Sequence, residues 1–103
     1  MLALIEDRQE ELKQLCAEYR VSRLELFGSA AEDRFDAGAS DLDFLAEFES
    51  MSPAEYTDAY FSLQEGLEKI LGHPVDLIEL APVRNPYFLE SIDRSRVVLY
   101  DAA

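Results

Sequence analysis

Residues 40–48 read SDLDFLAEF, and this stretch decides the fold class. Apolar side chains occupy every second position, so the segment from Asp41 to Phe48 is predicted to be a β-strand with one buried face. The two acids Asp41 and Asp43 are two residues apart and therefore project together from the opposite face. The predicted buried face consists of Leu42, Phe44, Ala46 and Phe48.

Upstream of this strand, the chain predicts a helix and a second strand. Apolar residues at helical spacing indicate a helix from residue 2 to about residue 20. Arg23–Phe27 is short and rich in β-forming residues, and it runs into Gly28-Ser29, which is typical of a strand that stops at a tight turn. Residues 29–35 are then predicted to be a short helix or turn.

Downstream, a helix crosses to the next strand. Ser52-Pro53-Ala54-Glu55 has the pattern of a capping box with Pro at the first helical position, and Gly72 with Pro74 ends the helix. The remaining predicted elements are a strand over 75–80, a short helix over 86–93 and a strand over 96–100. This alternation predicts an α/β (α+β) fold in two layers, in which helices cover mainly one face of a mixed sheet of three or four strands.

Composition limits the possible partners. The chain has 103 residues, of which 22 are acidic and 9 basic, and its formal net charge is −13. Its length predicts a single domain over residues 1–103. The negative charge disfavours direct binding to nucleic acid or an anionic membrane, and it favours a basic protein surface. No apolar run is long enough to span a membrane and the first twenty residues are acidic, so we expect a cytoplasmic protein.

The paired acids of residues 40–48 are candidate metal ligands. Carboxylates as close as those of Asp41 and Asp43 repel each other unless a cation bridges them. Mg²⁺ is the natural candidate, because it prefers oxygen ligands and is usually held by one or two carboxylates together with substrate phosphates. The alternative is that Asp41 belongs to a turn after Ser40 while Asp43 points to solvent. The pair alone does not separate these two interpretations.

A third acid favours the metal site. Asp76 lies second in an otherwise apolar strand, where a buried acid is costly unless it is paired or metal-bound. If the strands are parallel and adjacent, Asp41, Asp43 and Asp76 meet at one end of the sheet. At Gly28-Ser29 a small residue and free amides would accommodate a phosphate, although such a pair is also common in plain turns. A phosphate cradle beside three acids is typical of two-metal phosphoryl or nucleotidyl transfer, with Asp76 as general base.

Three motifs in this order carry a family resemblance. Phe27-Gly28-Ser29, Ser40-Asp41-Leu42-Asp43 and Val75-Asp76-Leu77 resemble the minimal nucleotidyltransferases (MNT) of the DNA polymerase β superfamily, which are encoded beside HEPN toxins. The closing segment Ile92–Tyr100 is similar to the last strand of that family. The resemblance implies the two-layer nucleotidyltransferase fold. It also implies that Gly28 and Ser29 hold the nucleotide phosphates, that Asp41 and Asp43 bind metal, and that Asp76 completes the catalytic metal site.

The resemblance further implies a function. It identifies the chain as the antitoxin of a type VII-like HEPN/MNT toxin–antitoxin pair. Such an antitoxin is a Mg²⁺-dependent protein adenylyltransferase that moves AMP from ATP to a tyrosine of the partner toxin, an RNase. The charge of −13 agrees with this function, because an RNase site is electropositive.

The chain departs from the family pattern after Gly28-Ser29. Glu32 and Asp33 stand where the family usually has Arg and Gly, and Arg34 is a candidate replacement for the missing Arg. Acids at these positions would repel a triphosphate, which favours one alternative, a catalytically inactive MNT protein that neutralises the toxin by binding. A second alternative is nucleotidyl transfer to a small molecule such as an antibiotic, for which 103 residues leave little room. A third, a purely structural acidic module, would leave a buried Asp76 unexplained.

Overall fold

The computed structural model describes residues 3–28, 42–79 and 96–102. The described residues form one four-stranded sheet of strand order β3-β2-β1-β4. Strand β1 is antiparallel to β2 and to β4, whereas β2 is parallel to β3. The predicted fold class, a mixed sheet packed with helices, is confirmed. In chain order the elements are α1 (Ala3–Glu6), α2 (Gln9–Glu18), β1 (Val21–Phe27), β2 (Leu42–Phe48), α3 (Pro53–Leu71), β3 (Val75–Glu79) and β4 (Val97–Asp101).

Helix α3 is the crossover that two parallel neighbouring strands require. It begins as the sequence predicts: the Ser52 hydroxyl accepts a bond from the Glu55 amide at 3.2 Å, and the Glu55 carboxylate accepts one from the Ser52 amide at 3.3 Å. The helix ends at Gly72, whose φ of 69° suits glycine. Helix α3 returns the chain to the end of the sheet at which β2 starts, so β3 runs parallel to β2.

The core lies between one face of the sheet and helices α2 and α3. Alternate residues of each strand point into it, as the period of two in residues 42–48 predicts. The helices supply the opposite wall through apolar residues at helical spacing. Buried members of this cluster are Ile5, Leu12, Cys16, Val21, Leu24, Leu26, Leu42, Phe44, Ala46, Leu63, Leu67, Leu71, Val75 and Leu77.

Between residues 3 and 28 the structure differs from the prediction in two respects. The helix expected from residue 2 to about 20 is two helices, with a turn at Asp7–Arg8. Strand β1 starts at Val21 rather than Arg23, because Arg20 adopts a left-handed conformation with φ 60° and reverses the chain at once. The Arg20 guanidinium donates to a Glu55 carboxylate oxygen at 3.0 Å and to the Ser50 carbonyl at 3.1 Å, and these bonds fasten the reversal to the start of α3.

At the other end of the chain, β4 runs one residue later than predicted, over Val97–Asp101. The short helices predicted over 29–35 and 86–93 lie outside the described residues. None of the helices in the described parts of the chain is long and apolar enough to cross a membrane.

Cys16 offers a test of the packing of α2 against the core. Its side chain is fully buried, and burial raises the pKa of the thiol from 9.0 to about 12. We expect its reaction with a disulfide reagent at pH 8 to be at least about a thousandfold slower in the native protein than in guanidinium, because three pKa units remove that much thiolate. The chain has one cysteine, so there is no background reaction. Fast modification of the native protein would contradict this position of α2.

Candidate active site

Two of the predicted site aspartates face each other across β2 and β3. Asp43 and Asp76 are register partners in the parallel pair. Cα atoms of neighbouring strands are about 4.8 Å apart, and residues in register project to the same face of the sheet. Leu42 and Val75, which precede them, are buried in the core, so both aspartates lie on the face away from α2 and α3. The condition stated for Asp43 and Asp76 in the sequence analysis, that their strands be parallel and adjacent, is therefore met.

The expectation that Asp76 is buried is wrong. Asp76 is exposed and Asp43 is half-buried. Strand β3 is the outermost strand of the described sheet, and only Val75 and Leu77 of its first residues face the core. Because the Asp76 carboxylate is exposed to solvent, burial of its charge gives no reason to expect a metal ion beside it. The reason that remains is its place beside Asp43, since two carboxylates side by side favour a bridging cation.

Gly28 is in direct proximity to this pair. It follows the last residue of β1, and Phe27 is the register partner of Asp43. A Cβ atom placed on Gly28 would be 2.6 Å from the Asp43 Oδ2 atom, and the φ of Gly28 is 75°. The backbone conformation therefore favours glycine here, and any larger residue would displace the Asp43 carboxylate. The absence of a side chain at Gly28 lets the backbone at the end of β1 lie close to the Asp43 carboxylate.

The other predicted site residues are not described. Ser29 and Asp41 lie outside the described residues, as do Glu32, Asp33 and Arg34. Within residues 3–28, 42–79 and 96–102 no three potential metal ligands come together. Of the predicted site residues, the structure thus describes Gly28, Asp43 and Asp76. The paired carboxylate oxygens of Asp43 and Asp76 suit a hard divalent cation such as Mg²⁺.

The negative charge of Asp76 acts on a nearby tyrosine, Tyr60. Tyr60 of α3 donates its hydroxyl hydrogen bond to the Leu77 carbonyl. Burial raises the pKa of Tyr60, and the negative charges of Asp76 and Glu79 raise it further. The neutral hydroxyl thus holds α3 to β3. This bond fixes the edge strand that carries Asp76.

A buried ion pair that the sequence analysis missed lies on the same face of the sheet. Glu25 of β1 is 1% exposed. Its Oε1 atom accepts a bond from Nε of Arg23 at 2.8 Å, and its Oε2 atom is 3.5 Å from Nε of Arg96. The signal available in the sequence is an alternation: Arg23, Glu25 and Phe27 occupy every second position of β1, opposite to the core residues Leu24 and Leu26.

Known proteins share both the sequence pattern and the fold. Residues 9–99 match the Nucleotidyltransferase domain family. A candidate protein adenylyltransferase of Methanocaldococcus jannaschii is 38% identical over 79 residues, which are 77% of each chain. A second one from the same organism is 33% identical over 85 residues, covering 82% of this chain and 83% of the relative.

Solved structures agree with this assignment. A candidate minimal nucleotidyltransferase superimposes with a TM-score of 0.67 and 27% identity, over 93% of this chain and 95% of the other. A toxin–antitoxin with AMP-PNP gives a TM-score of 0.68 at 18% identity, over 90% and 73% of the two chains. A tri-AMPylated HEPN toxin of Shewanella oneidensis in complex with its MNT antitoxin gives 0.63 at 16% identity, over 93% and 71%. At these last two identities the likeness concerns the fold.

The resemblance noted from the three motifs is confirmed. The match spans the helices and strands that carry Gly28, Asp43 and Asp76, and the relatives align along most of their own length. The chain therefore belongs to the nucleotidyltransferase domain family.

Proposed function

We propose that this protein is a Mg²⁺-dependent protein adenylyltransferase that transfers AMP from ATP to a tyrosine hydroxyl of a HEPN-type toxin and so acts as its antitoxin. The observation that carries the proposal is the register pairing of Asp43 with Asp76 close to Gly28, which has no side chain. We treat residues 1–103 as one catalytic domain. Ser29 and Asp41 belong to the proposed site as phosphate-binding and metal-binding residues, respectively.

In the proposed reaction Gly28 and the three aspartates bind the nucleotide and the cation, and Asp76 is also the general base. Gly28 lets the nucleotide phosphates approach the end of β1, and the carboxylates of Asp43 and Asp76, with that of Asp41, would hold the cation. The cation supplies charge neutralisation and polarises phosphate oxygens. Asp76 is exposed, so it can accept the proton of an incoming tyrosine hydroxyl. The tyrosine oxygen forms a bond to the α-phosphorus, the bond from that phosphorus to the bridging oxygen breaks, and pyrophosphate leaves.

The relatives and the charge support a protein acceptor. The relatives that share 33–38% identity are named for protein adenylyl transfer, and one structural neighbour is bound to an AMPylated HEPN toxin. The charge of −13 suits a basic protein partner and disfavours nucleic acid or a membrane surface as direct partner. With a partner toxin that cleaves RNA, the site of action would be the cytoplasm.

The proposal is tested by label transfer. Purified protein is incubated with Mg²⁺, ATP labelled at the α-phosphate and the HEPN-type protein encoded beside it. We expect label on a tyrosine of the toxin, released as AMP by phosphodiesterase, and no label from ATP labelled at the γ-phosphate. If the toxin is bound and inhibited without label, the protein is an antitoxin by binding alone, and Glu32 and Asp33 become the first residues to replace with Arg and Gly. Label on a small molecule instead would point to the other alternative acceptor.

A further inference from the structure

We propose that Arg96 binds the β- and γ-phosphates of the nucleotide, and that the buried Glu25 is the positioning residue that sets Arg96 on the face of the site. This inference rests on the proposed function, because it names a further residue for the same nucleotide. Arg96 would thus provide a positive charge that stabilises the leaving pyrophosphate.

The sheet register places Arg96 in the same row across the strands as Asp43 and Asp76. Asp76 pairs with Asp43, and Asp43 pairs with Phe27. On the other side of β1, Leu26 pairs with Val97, which sets Arg96 next to Phe27 at the start of β4. Two strand spacings, about 10 Å, therefore separate the Cα atoms of Arg96 and Asp43. An arginine side chain and a triphosphate together span that distance.

The ion pair shows that Arg96 projects to the correct face. Glu25 and Phe27 lie on the same face of β1, because they are two residues apart. Arg96 Nε is 3.5 Å from the Glu25 Oε2 atom, so the guanidinium lies on the face that carries Asp43 and Asp76. The Arg96 side chain retains 32% exposure, which leaves it accessible to a ligand.

Glu25 has an unusual environment for an acid. It is 1% exposed in the middle strand of a sheet, and its Oε2 atom has no hydrogen-bond partner in the structure. Burying a carboxylate costs several kcal/mol unless opposite charges compensate it. Arg23 bonds to Oε1 with good geometry, whereas Oε2 faces Arg96.

The charge of the site requires such a cation. The paired carboxylates and a triphosphate are all negative, and the sequence adds Glu32 and Asp33 within five residues of Gly28. Among the described residues, only Arg23 and Arg96 are cations on this face of the sheet. Arg23 lies toward the other end of β1, where its Nη1 atom is 3.4 Å from an Asp101 carboxylate oxygen. Arg96 is the one beside Phe27, and its planar guanidinium matches phosphate oxygens.

The test compares two arginines that share one partner. ATP and AMP affinities are measured by calorimetry with Mg²⁺ for the parent, Arg96→Ala and Arg23→Ala. We expect Arg96→Ala to weaken ATP binding by about tenfold to a hundredfold, the range of one to two charge-assisted hydrogen bonds, and AMP binding by less than about threefold. Arg23→Ala should change neither affinity by more than about threefold, although it removes the shorter Glu25 contact.

Two further variants test whether the Arg96 guanidinium is needed and whether Glu25 acts through it. Arg96→Lys keeps the charge without the planar donor pair, so we expect it to recover part of the ATP affinity. Glu25→Gln should weaken ATP binding, and adding Glu25→Gln to Arg96→Ala should cause no further loss, since the two residues act through one contact. If Arg96→Ala binds ATP as the parent does, or if Arg23→Ala loses ATP affinity equally, this inference is wrong. Label transfer by the parent protein is measured separately, so either result leaves the proposed function standing.

Discussion

Asp43→Asn is expected to reduce the proposed AMP transfer by at least about a hundredfold, because it removes a carboxylate of the proposed metal site. The side chain keeps its shape, and Leu42 and Phe44 still pack in the core. Melting temperature should change little, because the substitution keeps the size of a side chain that lies outside the core. The measurements are initial rates of label transfer and thermal melting.

A matched control for this variant is Asp58→Asn. Asp58 is an exposed residue of α3 and belongs to the other layer of the molecule. The same chemical change there should leave the rate within about twofold of the parent, since exposed charges far from a site contribute little. Full activity of Asp43→Asn would overturn the assignment of the site. An equal loss in both variants would point to reduced overall charge as the cause.

Gly28→Ala should separate local damage to the site from general backbone strain. The added Cβ would be 2.6 Å from the Asp43 Oδ2 atom, so the carboxylate, the mobile end of a side chain, has to move away. We expect ATP affinity to fall at least about tenfold and the rate of transfer by about a hundredfold, because a catalytic group displaced by about 1 Å costs that much. The measurements are ATP calorimetry and label transfer.

Gly72→Ala supplies the control for strain. Its φ of 69° resembles the 75° of Gly28, but a Cβ there meets nothing within 4 Å. Both variants should lose about 1 kcal/mol of stability from the left-handed conformation. Only Gly28→Ala should lose activity. Equal activities of the two variants would show that contact between a Cβ atom at position 28 and the Asp43 carboxylate does not affect activity.

The local patterns were sufficient for the elements that hold the site. Alternation gave β2, and the Ser52–Glu55 cap with Gly72 gave α3 with its observed bounds. The reversal at Arg20 was not predictable, because a left-handed arginine is held there by contacts with residues thirty or more positions away. Strand composition likewise did not predict the exposure of Asp76, since an apolar strand looks the same at the edge of a sheet as at its centre.

The site was only partly accessible from sequence for a similar reason. Asp43, Asp76 and Gly28 could be proposed because each lies next to a recognisable strand end. The ion pair of Glu25 with Arg96 joins β1 to β4, and the pairing of these strands brings together residues 71 positions apart along the chain. Periodicity within one segment carries no information about that pairing. Arg96 can therefore be proposed for the site only once the sheet order is known.

The α3 crossover makes the proposed site depend on the pairing of β3 with β2. Asp43 and Asp76 become neighbours only after β3 has docked on β2, which closes a loop of more than thirty residues. An intermediate in which β1 and β2 are paired but β3 is not would have β structure and no catalytic site. By thermodynamic linkage, a cation held by both carboxylates would protect the amides of β3 from hydrogen exchange more than those of β1. The edge strand β3 would thus be stabilised by a ligand whose binding site exists only in the folded sheet.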